Sequence, residues 1–204
     1  ATSGFSIITY TGTGSVATLP HGLGVAPDCI IVKGTSASEA WATYFNIWLM
    51  KNEKYMVLNT TAAVADHSEY WNDTSPTSTL FSLGNGGAVN NNTANYVAYC
   101  FTNKKGFFHT GEYRGNGSST QPPFIFTGFR PGFVMFKAVN YAAAWLMFDN
   151  KRQVFNGGPG GNLQANDNAA EDTGTGGTLG MDYYSNGFRV PYTANAALNG
   201  DGYG

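Results

Sequence analysis

A stretch near the start of the chain returns 104 positions later without a gap. The first copy runs Gly24-Val25-Ala26-Pro27, Asp28, the apolar run Cys29-Ile30-Ile31-Val32-Lys33, a polar spacer and Trp41. The second runs Gly128-Phe129-Arg130-Pro131, Gly132, Phe133-Val134-Met135-Phe136-Lys137, a spacer of equal length and Trp145. Upstream, Tyr10, Gly12 and Gly14 match Tyr113, Gly115 and Gly117. A sequence that repeats at about 100 residues is built from two copies of one structural unit. Positions kept in both copies are framework: the entry and exit of a strand, and an anchor for the next element. Any individual function lies where the copies differ, at residues 67–78 and 157–177.

The units read as β. Gly4-Phe5-Ser6-Ile7-Ile8-Thr9-Tyr10 is rich in β-branched and aromatic residues. The Gly-x-Gly that follows is a turn, because both copies keep the glycines and no helical pattern follows. Cys29–Lys33 is apolar on both faces, which predicts a central, buried strand, and Pro27 stands just before it, where proline is tolerated. Residues 37–50 show helical spacing (Ala37, Trp41, Tyr44, Trp48) and strand alternation (Trp41, Thr43, Phe45); the β-like surroundings favour a strand. Tyr55–Leu58 is a short strand, Leu80–Leu83 is expected to turn back in a hairpin at Asn85-Gly86, and Tyr96–Phe101 closes the copy. In the second copy Asp182–Ser185 is expected to turn at Asn186-Gly187, and Gly157–Gly177 reads as a long polar loop. Tyr203 aligns with Tyr96, so the counterpart of Val97–Phe101 is missing, through truncation or because a neighbouring chain fills the edge. The opening Ala1-Thr2-Ser3 suits a segment of a longer or processed protein. The expected fold is all-β: two tandem antiparallel β-sandwich, jelly-roll-like repeats, residues 1–102 and 103–204.

Composition narrows the function. Lys and Arg number 11 against 13 Asp and Glu, and charged residues make up 12% of the chain, about half the usual share. A nucleic-acid partner needs a basic stripe, and none is present. No apolar run approaches the ~18 residues that would cross a bilayer as a helix. Cys29 and Cys100 sit in apolar strands, with no Cys or His at metal-ligand spacing. His21, His67 and His109 have no partners at catalytic spacing, and no nucleophile elbow, zinc-protease or phosphate-loop motif occurs. Asp167, Glu171, Asp172 and Asp201 follow neither calcium-loop spacing. No catalytic residue, metal ligand or cofactor is implied.

Carbohydrate binding suits the surface better. Sugars are held by aromatic rings against their C–H faces and by hydrogen bonds from Asn, Asp and Tyr. Tyr70, Trp71, Asn72 and Asp73 occupy a polar stretch with no clear counterpart, and Tyr183 and Tyr184 flank the second hairpin. These six are the candidate ligand contacts. The competing reading folds Trp71 back over the core.

The order of motifs carries a resemblance. GFSIITYTGTG, HGLGVAP, IIVKG, a Trp followed by Tyr44, YMVLNTT, EYWNDTSPTSTLFSLG and YVAYCF resemble a repeated β domain of virion and tail-fibre proteins of tailed bacteriophages, notably marine ones. The resemblance spans nearly the whole chain and implies a location on the virion surface, outside the cell. The family implies a location better than a mechanism, and the expected function is a non-enzymatic structural and adhesive module in a tail fibre, spike or capsid decoration. Its partners would be other virion subunits, copies of itself among them, and a host surface glycan. A fibre subunit assembling by strand addition with no ligand is the alternative, and a polysaccharide depolymerase, which needs two facing carboxylates, is third. The second copy departs from the motifs at Phe126-Thr127 and along 157–177.

Overall fold

The computed structural model describes residues 3–51, 54–153, 155–156, 161–172, 180–191 and 196–200. The chain is all-β and divides into two compact units. Unit 1 comprises Ala1–Leu58 and Val64–Gly111; unit 2 comprises Asn59–Ala63 and Glu112–Gly204. The first unit thus reaches past the junction expected at 102. Lys104 and Phe108 form an antiparallel bridge, and the Phe108 ring stacks on Phe101 at 5.0 Å, which holds the connecting residues on unit 1.

Unit 1 contains β1 (Phe5–Thr11), β2 (Ala17–Pro20), β3 (Cys29–Gly34), β4 (Trp41–Phe45), β5 (Lys54–Val57), β6 (Ala65–Asp66), α1 (Ser68–Trp71), β7 (Leu80–Leu83), α2 (Gly87–Asn90) and β8 (Asn95–Phe101). Its larger sheet has the order β1-β8-β3-β4-β5-β6, and β2 pairs with β7 in a second sheet. All pairs are antiparallel. The core fills the space between the sheets: Ile30, Val32, Ala42, Tyr44, Tyr96, Ala98 and Cys100 from one, Phe81 and Leu83 from the other. Burying each large apolar side chain contributes about 1.5–3 kcal/mol. β3 is central and buried along most of its length, as its unbroken apolar run predicts.

Two local expectations are corrected. Asn85-Gly86 makes no hairpin. Gly86 caps α2, and β7 pairs with β2 from far upstream. A turn dipeptide can equally start a helix, and the core contacts of Phe81 decide. Likewise the strand expected over 37–50 is β4 followed by a single 3-10 turn at Trp48–Met50.

Unit 2 contains β9 (Phe124–Phe126), β10 (Phe133–Phe136), β11 (Leu146–Asp149), β12 (Leu163–Gln164), β13 (Asp182–Tyr184), β14 (Gly187–Arg189) and α3 (Ala196–Asn199). Its two sheets have the orders β10-β11-β12 and β13-β14-β9. Phe136, Leu146, Phe148, Tyr183, Phe188, Val190 and Leu198 form the core between them. β12 and the Asn162–Asp172 bridge lie in the stretch read as a loop; residues 157–160 and 173–179 of that stretch, and Tyr203, are outside the described residues. The β13–β14 hairpin exists, with Tyr184 opposite Gly187, so Ser185-Asn186 is its two-residue turn. Residues 59–63 pack on unit 2 through the Thr61 carbonyl, which accepts the Ala143 N–H at 2.9 Å.

Several hydrogen bonds recur in both units. Tyr10 donates its hydroxyl to the Val89 carbonyl; Tyr113 donates to Leu198. The Asn90 side chain accepts the Thr13 N–H at 2.8 Å and donates to the Ser15 carbonyl at 2.7 Å. The Asn199 side chain accepts the Asn116 N–H at 3.0 Å and donates to the Ser118 carbonyl at 3.1 Å. Gly14 and Gly117 give their N–H groups to the Asn90 and Asn199 carbonyls, at φ of 69° and 65°. Each buried asparagine ties a helix end to the Gly-x-Gly turn, satisfying main-chain groups that the turn leaves unpaired.

Candidate functional site

The six residues expected to meet a ligand do not share a surface. Trp71 is 2% exposed and meets the Tyr44 ring edge-on at 5.9 Å inside the core. One turn of helix, capped by His67, turns it inward. Tyr70 stacks on Tyr55 with ring centres 3.5 Å apart, and its hydroxyl is pushed up to about 12, chiefly by burial and then by Tyr55. Asn72 and Asp73 take left-handed φ of 52° and 47°; Asn72 ends α1, and Asp73 is exposed. Tyr183 is buried in the second core. Trp71 and Tyr183 are therefore corrected to core residues, unable to stack on a ligand. Tyr184, one residue on and facing the other way, is partly exposed.

Tyr184 leads to a surface the sequence reading missed. Register places Asp182 opposite Arg189, Tyr184 opposite Gly187, Gly187 opposite Phe126 and Arg189 opposite Phe124. Paired residues share a face, so these six form the outer face of β13-β14-β9. The opposite face carries Tyr183, Phe188 and Ile125 into the core. Phe126 is 63% exposed and Phe124 41%. The Phe124 and Tyr184 ring centres are 5.8 Å apart at 65°, and the Arg189 guanidinium lies 5.7 Å from the Tyr184 ring centre. Gly187 is required here: a Cβ would stand 2.8 Å from the Phe124 ring and 2.2 Å from the Ile125 carbonyl. The glycine lets the ring lie against the strand. The result is a shallow floor of three rings, bordered by a cation and a carboxylate.

Among the described residues unit 1 has no such floor. Its corresponding two-stranded sheet turns Leu19 and Phe81 inward as unit 2 turns Ile125 and Phe188, and presents Thr18, Pro20 and Leu80 outward, with Ser82 buried beside them. The available signal was Phe124-Ile125-Phe126, three consecutive apolar residues in a short strand with no polar alternate. Such a strand is apolar on both faces although only one can pack inward.

Two side-chain amides fix the strand that carries Tyr184. Gln153 accepts the Met181 N–H at 2.6 Å and donates to its carbonyl at 2.5 Å; Asn156 accepts the Tyr183 N–H at 2.8 Å and donates to its carbonyl at 3.1 Å. These amides imitate a neighbouring strand. Gln153→Ala is expected to destabilise unit 2 by about 2–4 kcal/mol, because it orphans a buried donor and acceptor; urea unfolding followed by near-UV circular dichroism measures this. Tyr183→Phe is expected to be neutral or to stabilise by up to ~1 kcal/mol, since among the described residues the buried Tyr183 hydroxyl has no hydrogen-bond partner. The same unfolding series checks it.

The profile of one family, described as a domain of unknown function (DUF7483), matches residues 1–204. The chain belongs to the DUF7483 family. No curated protein and no solved structure matches it.

The titratable groups of this DUF7483 chain are mostly structural. His21 is buried between the Thr77 carbonyl, 3.1 Å from Nε2, and the Leu23 N–H, 3.3 Å from Nδ1, which makes Nε2 the protonated nitrogen. Cys29 and Cys100 are free thiols on neighbouring strands. Cys100 pairs with Ile30 instead of Cys29, so the two point to opposite faces. Burial pushes Cys100 up to about 12 and Cys29 higher still, leaving neither as a thiolate at neutral pH. Among the described residues no group of three or more His, Cys, Asp or Glu is placed to hold a metal. Glu171 lies 3.8 Å from Arg152, and Asp167 accepts the Ala169 N–H at 3.1 Å.

Lys137 differs. Burial lowers its pKa to about 8, with its amine against the Ala138 and Thr61 carbonyls at 2.7 and 3.4 Å. The ordinary lysine value is 10.5. Between these values the unfolded chain holds a proton that the folded unit has released, so stability rises with pH. The cost of the buried charge is fully present below about 8 and fades towards 10.5. Unit 2 is expected to grow more resistant to urea from pH 7.5 to 9.5, and Lys137→Met to lose that rise.

Proposed function

We propose that the chain is a non-enzymatic structural and adhesive module of a tailed-phage virion. It belongs to a tail fibre, spike or capsid decoration and touches host surface glycans through the outer face of β13-β14-β9. The observation that carries the reading is the floor of Phe124, Phe126 and Tyr184 beside Arg189 and Asp182. Solvent-exposed rings on one sheet face are costly to leave in water, and such patches mark contact surfaces. Flat rings match the C–H face of a pyranose. Arg189 can donate a bidentate pair to vicinal hydroxyls or to the carboxylate of an acidic sugar, and Asp182 can accept from a hydroxyl. The shallow face suits an internal segment of a long polysaccharide better than a small molecule, which prefers a concave pocket. The virion setting rests on the motif resemblance, and the low charge and Asn-, Thr- and Gly-rich surface agree with an exterior β protein.

An array of host-surface polysaccharides tests the reading. Wild type is expected to bind at least one, and Tyr184→Ala or Phe124→Ala to weaken it about tenfold or more, which is ~1.4 kcal/mol. Absence of wild-type binding sinks the adhesive role. Release of new reducing ends sinks the non-enzymatic one.

A further inference from the structure

We infer that the outer face of β13-β14-β9 selects acidic glycans, with Arg189 as the clamp for a sugar carboxylate. The inference rests on the adhesive role just proposed and names the substrate class of the same face. β14 is the middle strand of its sheet, so Arg189 has Asp182 opposite it on one side and Phe124 on the other. Strand alternation sends Phe188 and Val190 into the core and leaves the Arg189 side chain exposed.

Among the described residues no carboxylate holds that guanidinium. Directly opposite residues bring their Cβ atoms to about 4.5–5.5 Å, near enough for an Asp–Arg pair to close. Asp182 and Arg189 do not close one: the ion pairs within 4.0 Å join His67 to Glu69 and Arg152 to Asp149 and Glu171. Arg189 lies instead 5.7 Å from the Tyr184 ring centre. A cation–π contact positions the group and uses none of its N–H donors. Arg152 has the opposite arrangement, with its Nε 2.8 Å from Asp149 and its Nη1 3.8 Å from Glu171. Arg152 is neutralised by the protein, whereas Arg189 presents both charge and donors outward.

The rings place a sugar beside it. The Phe124 and Tyr184 ring centres are 5.8 Å apart at 65°. The Phe124 ring lies against Gly187, two residues before Arg189 on the same face. Neighbouring strands are ~4.8 Å apart, so the three-stranded face is about 10 Å across. A pyranose whose C–H face rests on the two rings has its rim at the guanidinium.

A neutral hydroxyl at that rim leaves the charge uncompensated. A carboxylate compensates it and meets the planar fork with two parallel N–H···O bonds, each roughly twice as strong as a neutral one. Asp182 sets the limit. Its like charge weakens the site for an anion and repels a second one, so the face suits isolated carboxylates and not a densely sulfated chain. The sugar class that fits is a uronic acid or other carboxylated residue, spaced along the polymer by neutral sugars.

The test applies the 204-residue chain to the host-surface polysaccharides, each beside a carboxyl-reduced twin in which the carboxylate has become a hydroxymethyl group. Dextran sulfate is a further probe. The best-bound polymer is expected to be carboxylated, and its reduced twin to bind about tenfold more weakly or worse. Arg189→Lys keeps a charge without the fork. It should weaken the carboxylated polymer about tenfold and bring the ratio of the two forms towards one; Arg189→Gln repeats the comparison without the charge. Asp182→Asn is expected to tighten the carboxylated polymer about two- to fivefold by removing the like charge. A neutral polymer bound best, equal binding of a polymer and its reduced twin, an unchanged ratio in Arg189→Lys, or tightest binding of dextran sulfate overturns the acidic class and leaves the adhesive role standing. If no polymer binds, the adhesive role fails and the selectivity fails with it.

Discussion

Asn90→Ala is expected to destabilise unit 1 by about 3 kcal/mol, enough to lower the midpoint of a domain this size by about 10–25 °C. The side chain is 1% exposed and uses both ends of its amide. Its oxygen accepts the Thr13 N–H at 2.8 Å, and its nitrogen donates to the Ser15 and Gly84 carbonyls at 2.7 and 2.8 Å. The Gly84 bond is fully buried, so its carbonyl has no access to water once the amide is gone. A buried group left without its partner costs about 1–3 kcal/mol, and the two groups nearer solvent cost less. Asn90→Asp separates hydrogen bonding from volume. It keeps the acceptor but aims a carboxylate at two carbonyl oxygens. Its folded pKa must rise above the ordinary value, so the variant gains stability as pH falls and loses it near neutrality. Melting at pH 4 and pH 7 by circular dichroism gives both results. The smaller network around Asn199 predicts a milder loss in unit 2.

Gly84→Ala is the second large effect. A Cβ at Gly84 would stand 2.3 Å from the Glu69 carbonyl carbon and oxygen and 2.4 Å from the Ser68 oxygen. Those atoms are main chain of α1 and cannot swing aside. The approach is close because the Gly84 N–H donates to the Tyr70 carbonyl at 2.8 Å, which docks the end of β7 on α1. A methyl group has to push α1 outward, and α1 carries Trp71 into the core. Overpacking against backbone costs about 3 kcal/mol or more. The expected result is a red shift of tryptophan emission and a lowered unfolding midpoint for unit 1. An unchanged spectrum with a midpoint within ~0.5 kcal/mol of wild type would show that α1 is loosely held.

These two residues show which parts of the fold were legible. The apolar run of Cys29–Lys33, Pro27 before it and the paired glycines dictate strand and turn on short-range grounds, and the structure has them there. Asn90 sits in Asn90-Asn91-Asn92, where composition alone suggests an exposed turn. Its role depends on Thr13 and Ser15, some 75 positions away. The hairpin expected at Asn85-Gly86 failed for the same reason: β7 finds its partner in β2, and no local signal records that.

The candidate site was legible only in part. Tyr184 was found because its hairpin stood out. Trp71 and Tyr183 were grouped with it by proximity in sequence, but a helical turn and a strand alternation turn each of them into a core. Phe124, Phe126 and Arg189 were missed because sheet register, which brings them beside Tyr184, joins strands about 60 residues apart.

The location of glycan contact is the most direct measure of the functional reading. Wild-type protein with labelled phenylalanine, tyrosine and tryptophan rings, titrated with a host-surface oligosaccharide and followed by NMR, is expected to show saturable ring-proton shifts at Phe124, Phe126 and Tyr184. The Trp48 ring, 74% exposed with the Lys51 amine 5.4 Å from its centre, is the internal control, since it is an exposed aromatic elsewhere in the chain. Shifts confined to the three rings of unit 2 fit the proposed face. Binding that leaves them unmoved, or that shifts Trp48 instead, contradicts it.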